Sequence, residues 1–320
     1  MSILPGRRAL LASAVLTAPV PLRAQSAPPI RLIVPFAAGG PMDMVARLVA
    51  PGAGAHLGQT VVVENRTGGT GAVGMAEVAR ARPDGTTLMM TGSSWPVVML
   101  LNPNLSFRMT DFAPLTRLTL APHVFAVPGN LPVRSVAEFV AEAKRRPGEW
   151  SYGTSGIGTT LHLGTEMLKR RAGIDLVHVP YRGNAPAMAD LLAGRLQTMF
   201  PTIAEVTPFL ADGRLRALAV GYGERLDTLP DVPTMAEVGL GDVPAASDFG
   251  VATGAEVPAA QRERLSEAFR ASVRDPATTA RLREAGIFVV ASTAQRFAQM
   301  VAEEGARYAE IIQAANITLN

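Results

Sequence analysis

The residues best suited to chemistry in this 320-residue chain surround a short turn that contains Gly39 and Gly40. The turn follows an apolar segment, residues 30–34, that is typical of a buried strand, and it precedes Val45 and Leu48, which stand at helical spacing. The first N–H groups of a helix have no partner inside the helix, and the helix dipole adds positive charge at that end. Because glycine also lets a ligand approach the main chain, the turn predicts a site for a small carboxylate or phosphate.

Two alternatives stay open for this turn. A strand-to-helix connection can use glycine for its positive φ without binding any ligand. Asp43 falls in the first turn of the predicted helix, where a carboxylate is favourable beside the dipole and can accept hydrogen bonds from free N–H groups. An aspartate that pointed into a binding cleft would repel an anion, so we expect Asp43 to orient the loop, or simply to cap the helix.

A second glycine-containing turn repeats this arrangement later in the chain, between a predicted strand and a predicted helix. The hydroxyl groups of Thr154, Ser155, Thr159 and Thr160 accompany the main-chain N–H groups there. Hydroxyls and amides together can bind a carboxylate without a buried cation. The alternative is that Thr159 is only the N-cap of the helix.

Further candidates follow other predicted strands. Arg182 stands in a third strand-to-helix turn, where it either contacts a ligand anion or is solvated on the surface, and Asn184 is placed to cap the next helix. Ser93 and Ser94 also follow a strand, so their hydroxyls can face the same cleft as the turns.

Residues 69–74 match the pattern G-x-G-x-x-G between a strand and a helix, which gives the alternative of a dinucleotide-binding turn. That fingerprint requires an acidic residue about 20 positions further on, but residues 91–94 are Thr-Gly-Ser-Ser. No catalytic triad or carboxylate pair has persuasive spacing. The four histidines, His56, His123, His162 and His178, lack metal-ligand spacing. We therefore expect neither an enzyme nor a cofactor or metal site.

The amino-terminal residues predict export. Arg7 and Arg8 precede an apolar stretch, residues 9–20, that is shorter than the roughly 20 residues needed to span a bilayer. Residues 1–24 therefore predict a cleaved signal peptide and a periplasmic protein. The two arginines also fit a loose twin-arginine pattern, which leaves the export route open.

The charge argues against a nucleic-acid or anionic-membrane partner. The formal net charge is +3, but residues 1–24 contain three arginines and no acids, so the remainder carries 27 basic and 27 acidic residues. A neutral chain lacks the basic face that such partners need. The absence of cysteine excludes disulfides and thiolate chemistry.

The apolar patterns alternate between strand and helix, which predicts an α/β fold with parallel sheets and helices on both faces. The predicted strands are 30–34, 61–64, 86–91, extended segments within 113–127, 150–152, 176–179, 196–200, 215–220 and 287–290. The predicted helices are one that starts after Gly40, then 72–81, 135–146, 159–172, 185–193, 203–212, 257–274 and 293–315. Ser135 and Glu138 form a capping-box pattern. The length after the signal peptide is enough for two domains of about 150 residues each.

Several motifs together resemble one known family, the periplasmic substrate-binding proteins of tripartite tricarboxylate transporters, or Bug-type receptors. They are residues 35–40 followed by Asp43, 63–66 with the glycine-rich stretch to Gly74, 83–85, 152–162, 178–183, 185–187 and 231–234. The resemblance covers essentially the whole chain after the signal peptide. It implies a two-lobed periplasmic-binding-protein fold of type II-like topology, each lobe a mainly parallel sheet flanked by helices. The implied domains are 25–124 with 247–320, and 125–246.

The resemblance also implies the function and the site. A receptor of this family closes on a small organic carboxylate and delivers it to membrane permease subunits, and we expect a monomer. In the family, main-chain groups of the loop that matches residues 36–40 hold one carboxylate, and the loop that matches residues 154–159 meets a second group. The candidate ligand contacts are Phe36, Ala37, Ala38, Gly39, Gly40, Ser93, Ser94, Thr154, Ser155, Gly158, Thr159, Arg182, Asn184 and Thr202. A nucleotide-linked enzyme that uses residues 69–74 and an orphan sensor of organic acids stay as alternatives.

The chain departs from the family pattern at two places in the second lobe. The family commonly has Asn at the position of Ile157, and Asp-Asn where Pro201 and Thr202 follow Phe200. These differences remove polar groups, so the expected wall is more apolar. We hypothesise a ligand with a hydrophobic or aromatic body, or with only one carboxylate.

Overall fold

A computed structural model describes residues 28–181, 183–241, 243 and 245–318, apart from the side chain of Thr70. The predicted signal peptide and Arg182 lie outside these described residues.

Strands form two separate sheets. The strands are β1 (Ile30–Val34), β2 (Val61–Asn65), β3 (Thr87–Gly92), β4 (Phe112–Pro122), β5 (Val124–Pro128), β6 (Ser151–Thr154), β7 (Val177–Pro180), β8 (Thr198–Met199), β9 (Leu215–Val220), β10 (Ala246–Gly254) and β11 (Phe288–Val289). The first sheet has the order β11-β4-β10-β3-β1-β2, and the second has the order β7-β6-β8-β5-β9. We call the unit built on each sheet the first and the second lobe.

Helices cover both faces of each sheet. They are α1 (Pro41–Leu57), α2 (Ala72–Ala79), α3 (Trp95–Leu101), α4 (Val136–Arg145), α5 (Thr160–Ala172), α6 (Asn184–Leu192), α7 (Ile203–Ala211), α8 (Ala259–Arg274), α9 (Pro276–Glu284) and α10 (Ala294–Ala314). Core residues of α1, α8 and α9 pack on one face of the first sheet, and those of α2, α3 and α10 pack on the other. In the second lobe, α4 and α5 lie opposite α6 and α7.

The side-chain periodicity of a strand explains this layering. In β5, Phe125 and Val127 belong to the core beneath α4 and α5, whereas Val124 and Ala126 belong to the core beneath α6 and α7. Successive side chains of a strand point to opposite faces, so a strand with helices on both faces must be apolar throughout. The two-lobed α/β prediction is confirmed. The predicted cap of α4 is confirmed as well, because the Ser135 hydroxyl accepts the N–H of Glu138 at 3.1 Å.

One detail of the predicted fold differs: each sheet is mixed rather than mainly parallel. β1 is parallel to β2 and β3, but β10 is antiparallel to both β3 and β4, and β5 is antiparallel to β8 and β9. The reason is the path of the chain between lobes. β4 leads through His123 directly into β5, and β10 returns beside it in the opposite direction. The predicted domain boundaries, at residues 124 and 246, stay a prediction.

Within the described ranges, no helix is both long and apolar enough to cross a membrane.

Candidate functional site

A cavity of about 490 Å³ lies between the two lobes. The segments that line it follow the carboxyl ends of β1 and β3 in the first lobe and of β6, β7 and β8 in the second, which is where open α/β sheets bind their ligands. We call this cavity the cleft. It is lined by Asp43, Thr160 and nine of the candidate ligand contacts, namely Phe36, Ala37, Gly40, Ser93, Ser94, Ser155, Thr159, Asn184 and Thr202. A groove of about 610 Å³ between α3 and α10 has walls from the first lobe alone and contains none of them.

The first loop, residues 36–40, presents the amino-terminal end of α1 to the cleft. Gly40 is the N-cap without a capping side chain, and Pro41 occupies the first helical position. The N–H groups of the next two residues therefore have no acceptor inside the helix. Phe36, Ala37 and Gly40 line the cleft. The other two residues of this loop, Ala38 and Gly39, are also predicted contacts, but they are exposed and do not line the cleft.

The Asp43 side chain holds the first loop in place through hydrogen bonds. Its carboxylate accepts the Gly39 N–H, the Arg47 Nε–H and the Asn65 Nδ2–H, each at 2.9 Å. Asn65 also donates to the carbonyl of Phe36 at 3.1 Å, so both ends of the loop are attached to one side-chain cluster. The hydrogen bond from Arg47 lowers the pKa of Asp43 to about 2. Asp43 is thus ionised and saturated with donors, and this geometry is what a loop-orienting role requires.

The Ser93 hydroxyl is held by a buried ion pair rather than left free. It donates to Asp248 Oδ1 and accepts the Asp248 N–H at 2.8 Å. Arg117 Nε lies 2.8 Å from the other carboxylate oxygen of Asp248. Ser94 is the N-cap of α3, and its side chain makes no capping hydrogen bond. Of the two serines, Ser94 therefore has the hydroxyl that is available to a ligand.

Some residues of the second loop, residues 154–159, line the cleft, and others are directed into the protein interior. Ser155 and Thr159 line the cleft. Thr159 is also the N-cap of α5, because its hydroxyl accepts the His162 N–H at 3.4 Å. Thr154 is fully buried, with its hydroxyl 2.7 Å from His178 Nε2. Gly158 does not line the cleft, and its N–H donates to His162 Nδ1 at 3.1 Å.

A stack of rings supports the second loop. The His162 and His178 rings are 4.0 Å apart between centroids, and Tyr152 stacks on His178 at 4.8 Å. Burial lowers the pKa of both histidines to about 4. Both rings are therefore neutral at pH 7, and the Nδ1 atom of His162 is free to accept the N–H of Gly158. Among the described residues, no group of His, Asp and Glu side chains could hold a metal ion.

Asn184 and Thr202 meet at the second-lobe end of the cleft, where both contact Glu205. Glu205 Oε1 accepts the Asn184 Nδ2–H at 2.9 Å, and Oε2 accepts the Thr202 N–H at 2.8 Å and hydroxyl at 2.9 Å. The prediction that Asn184 caps α6 is wrong, because Gly183 is the N-cap and the Asn184 side chain reaches across to Glu205. Arg182 is outside the described residues, and its contact with a ligand stays a prediction.

Ile157 does not form the apolar cleft wall that we expected from the sequence. It packs instead in an apolar cluster with Val97 and Leu101 of the first lobe and Leu163 of α5. A methyl group on Gly158 would lie 2.8 Å from Leu101 Cδ1, so the second loop and α3 are in close contact. The side chain at position 157 therefore joins the lobes rather than facing the ligand.

Comparison with known proteins decides the family. The model of the tripartite tricarboxylate transporter family receptor matches residues 45–317. BugT of Bordetella pertussis (strain Tohama I) is 33% identical over an alignment of 313 residues that covers 93% of this chain and 95% of BugT. This chain belongs to the tripartite tricarboxylate transporter receptor family. The predicted family is thus confirmed, and the family consists of periplasmic solute-binding receptors rather than enzymes.

Two solved structures of similar proteins contain ligands. An R. palustris protein with adipate is 33% identical, has a TM-score of 0.77, and the match covers 91% of this chain and 98% of that one. MatC from Rhodopseudomonas palustris with bound malate is 28% identical, has a TM-score of 0.75, and the match covers 89% of this chain and 98% of MatC. Adipate and malate, the ligands in these two structures, are both small dicarboxylates.

The glycine pattern at residues 69–74 has a structural explanation in this receptor. A methyl group on Gly71 would lie 3.4 Å from Pro35 Cβ, and one on Gly74 would lie 3.1 Å from the same atom. Gly69, Gly71 and Gly74 do not line the cleft. Gly71 and Gly74 let α2 pack closely against the end of β1, where the first loop begins.

Sequence reasoning missed several residues of the receptor cleft. Glu205 had a detectable signal, because it stands three residues after Thr202 in a capping-box pattern. His123 and Ser247 sit where the strands cross between lobes, with His123 Nε2 2.9 Å from the Ser247 hydroxyl. No local pattern predicts a residue brought there by the sheet. The other lining residues that were missed are Pro41, Met42, Met44, Gly92, Ala121, Leu161, Ala204, Asp248, Phe249, Ala285 and Ile287.

Proposed function

We propose that this protein is a periplasmic receptor that captures a small organic carboxylate in the cleft and delivers it to the membrane permease of a tripartite tricarboxylate transporter. The observation that carries the proposal is that two strand-to-helix loops, one from each lobe, line a single cavity. The start of α1 and the start of α5 both face that cavity, so main-chain N–H groups are available from both sides.

The charges of the cleft favour binding through main-chain groups. Among the described residues that line it, there is no lysine or arginine. A ligand carboxylate is then held by N–H groups and by the hydroxyls of Ser94 and Ser155, whereas the Thr159 hydroxyl already donates to the Gly156 carbonyl at 2.9 Å. Hydrogen bonds from such groups to an ionised acceptor are roughly twice as strong as those between neutral groups.

Closure of the lobes follows from the same geometry. A ligand bound by both loops contacts both lobes only when they are together, so it binds the closed form more tightly and shifts the population towards it. The adipate and malate complexes of two similar receptors support a carboxylate as the ligand class.

Calorimetric titration with a panel of mono-, di- and tricarboxylates and aromatic acids tests the binding proposal. We expect at least one acid to bind and to reduce the radius of gyration in small-angle X-ray scattering. An acid that saturates the protein without changing the scattering would contradict closure. A stabilising effect of NAD or FAD, with all acids inactive, would instead support the nucleotide-linked alternative.

Uptake measurements test the transport role. We expect cells without this gene to lose uptake of the radiolabelled acid identified by calorimetry, and a plasmid copy to restore it. A copy that lacks residues 1–24 should not restore uptake, because the receptor would then stay in the cytoplasm. Undiminished uptake in the deletion strain would favour the orphan-sensor alternative.

A further inference from the structure

An internal carboxylate occupies the donors at the second-lobe end of the cleft. Glu205 accepts three hydrogen bonds, from Asn184 Nδ2, from the N–H of Thr202 and from the hydroxyl of Thr202, at 2.8–2.9 Å. Glu205, Asn184 and Thr202 all line the cleft. The three donors are of the type that binds a ligand carboxylate, and here they already hold one that belongs to the protein.

Glu205 differs from the other acidic residues that line the cleft in the partners of its carboxylate. Asp43 lies 2.9 Å from the guanidinium of Arg47, and Asp248 lies 2.8 Å from that of Arg117. Among the described residues, the hydrogen-bond donors to Glu205 are an amide, a main-chain N–H and a hydroxyl, all of them neutral. A second carboxylate that approached this end would therefore meet a like charge that no hydrogen-bonded cation neutralises.

The surroundings of Glu205 are compatible with an apolar ligand end. Ala204, Leu161 and Ile287 also line the cleft, and Leu161 and Ile287 are otherwise buried. An alkyl or aromatic group at this end would lie against these apolar side chains rather than in water. A carboxylate in the same place would be desolvated beside Glu205, and both effects penalise it.

We infer that Glu205 is a specificity-determining residue: its carboxylate excludes a second ligand carboxylate and selects acids with one carboxylate and an apolar or hydrogen-bond-donating far end. The inference rests on the proposed function, because it concerns the same cleft. The single carboxylate of the ligand binds at the first loop, and the far end of the ligand lies against Glu205.

Matched pairs of acids test this inference by calorimetry. Hexanoate and adipate share a six-carbon chain, and benzoate and terephthalate share a benzene ring, so each pair differs only in the second carboxylate. We expect the wild-type protein to bind the monocarboxylate of a pair about tenfold or more tightly than the dicarboxylate. Glu205→Gln should reduce that preference about tenfold, because it removes the charge while glutamine still fits a capping box.

Two further variants separate charge from structure. Glu205→Asp keeps the charge and should keep the preference for monocarboxylates. Glu138→Gln changes another glutamate at the third position of a second-lobe helix, where its carboxylate accepts the N–H of Arg134 at 2.6 Å on the exposed surface. This control should leave both affinities unchanged, since it lies outside the cleft.

The outcomes distinguish the two proposals. Wild-type protein that binds the dicarboxylate of either pair as tightly as the monocarboxylate would overturn the role of Glu205 while supporting the carboxylate receptor, and this result needs no variant to fold. A preference that survives in Glu205→Gln would also overturn it. Wild-type protein that binds no acid in these pairs or in the wider panel would overturn the proposed function, and the inference with it.

Discussion

The ring of Tyr222 stacks on the ring of Phe288, with 4.8 Å between their centroids and 27° between their planes. Tyr222 follows β9 of the second lobe, and Phe288 begins β11 of the first. Phe288 packs against the apolar cluster of the second lobe, which places this contact across the boundary between lobes. Together with the cluster around Ile157, it means that the lobes touch through apolar side chains at two places outside the ligand position.

The first prediction concerns the energy of this aromatic contact. In a double-mutant cycle with Tyr222→Leu and Phe288→Leu, we expect a coupling of about 0.5–1.5 kcal/mol in the free energy of ligand binding. The reason is that the two rings come from different lobes, so we expect the stack to be lost when the lobes separate and to stabilise the closed form that binds tightly. The measurement is the affinity of each variant for the tightest-binding acid of the panel.

Phe107→Leu is the matched control for this cycle. Phe107 pairs edge-to-face with Phe112 at 5.7 Å inside the first lobe. Its loss should lower the melting temperature without changing ligand affinity. Strictly additive effects of the two leucine substitutions on affinity would contradict a role of the Tyr222 contact in closure.

The second prediction concerns Asp43. Asp43→Asn should lower the free energy of unfolding by about 2–3 kcal/mol, because the amide cannot satisfy three donors of which one is the Arg47 guanidinium. It should also weaken carboxylate binding, since the Gly39 N–H loses the acceptor that holds the first loop. Chemical denaturation and calorimetry measure the two effects. Asp84→Asn, at a surface turn where Asp84 accepts the Thr86 N–H at 2.9 Å, is the control that should leave binding unchanged.

The regular part of the fold could be predicted from the sequence because its residues carry local signals. β1 is apolar except at Arg31, and α4 has a capping-box sequence pattern and an apolar stripe. β10, in contrast, is a central strand of the first sheet that the sequence analysis missed. Its residues include Asp248, whose charge is paired with Arg117, and Gly250, where a methyl group would lie 2.6 Å from Phe297 Cζ. Both residues are explained by partners far away in sequence, and no local pattern reveals those partners.

The candidate site also has a part that the local sequence predicts and a part that it does not. The two loops could be predicted because glycine, hydroxyl residues and helix starts follow strands directly in the sequence. The direction in which each side chain points could not be predicted. Thr154 lies in the second loop but bonds to His178, and Ile157 packs on the first lobe, because the ring stack and α3 occupy those sides of the loop. Tertiary packing, rather than the turn itself, decides which residues of the loop face the cleft.

The third prediction is that buried histidines make stability depend on pH. His123 is 2% exposed, and burial lowers its pKa from 6.5 to about 4. Its neutral form is favoured only in the folded state, so its stabilising contribution is complete above pH 6.5 and is lost as the pH falls towards 4. Between pH 7.5 and 5 this loss amounts to about 2 kcal/mol of unfolding free energy.

The wild-type protein alone does not isolate the contribution of His123, because the titration of Glu304 changes the free energy of unfolding in the opposite direction. Burial raises the pKa of Glu304 to about 7, so its contribution to stability falls as the pH rises from 4.5 to 7. Urea unfolding of His123→Gln at pH 7.5 and pH 5 should show a smaller pH dependence than the wild-type protein. His56→Gln, on the exposed end of α1, is the control and should retain the wild-type dependence. Identical pH dependence in His123→Gln and wild type would contradict the prediction.

The last prediction compares two glycines, one at each end of α5. The comparison separates the cost of backbone strain from the effect of contact between the lobes. Gly158 and Gly173 both have positive φ, +75° and +62°, and alanine in that region costs about 1–2 kcal/mol. The methyl group of Gly173→Ala would lie 3.9 Å from Lys144 Cε, whereas that of Gly158→Ala would lie 2.8 Å from Leu101 Cδ1 in the other lobe. Both variants should therefore lose stability, but Gly158→Ala alone should weaken ligand binding, by about tenfold or about 1.4 kcal/mol, because it pushes the second loop away from α3. Equal affinities of the two variants in calorimetry would show that this contact does not contribute to the closed form.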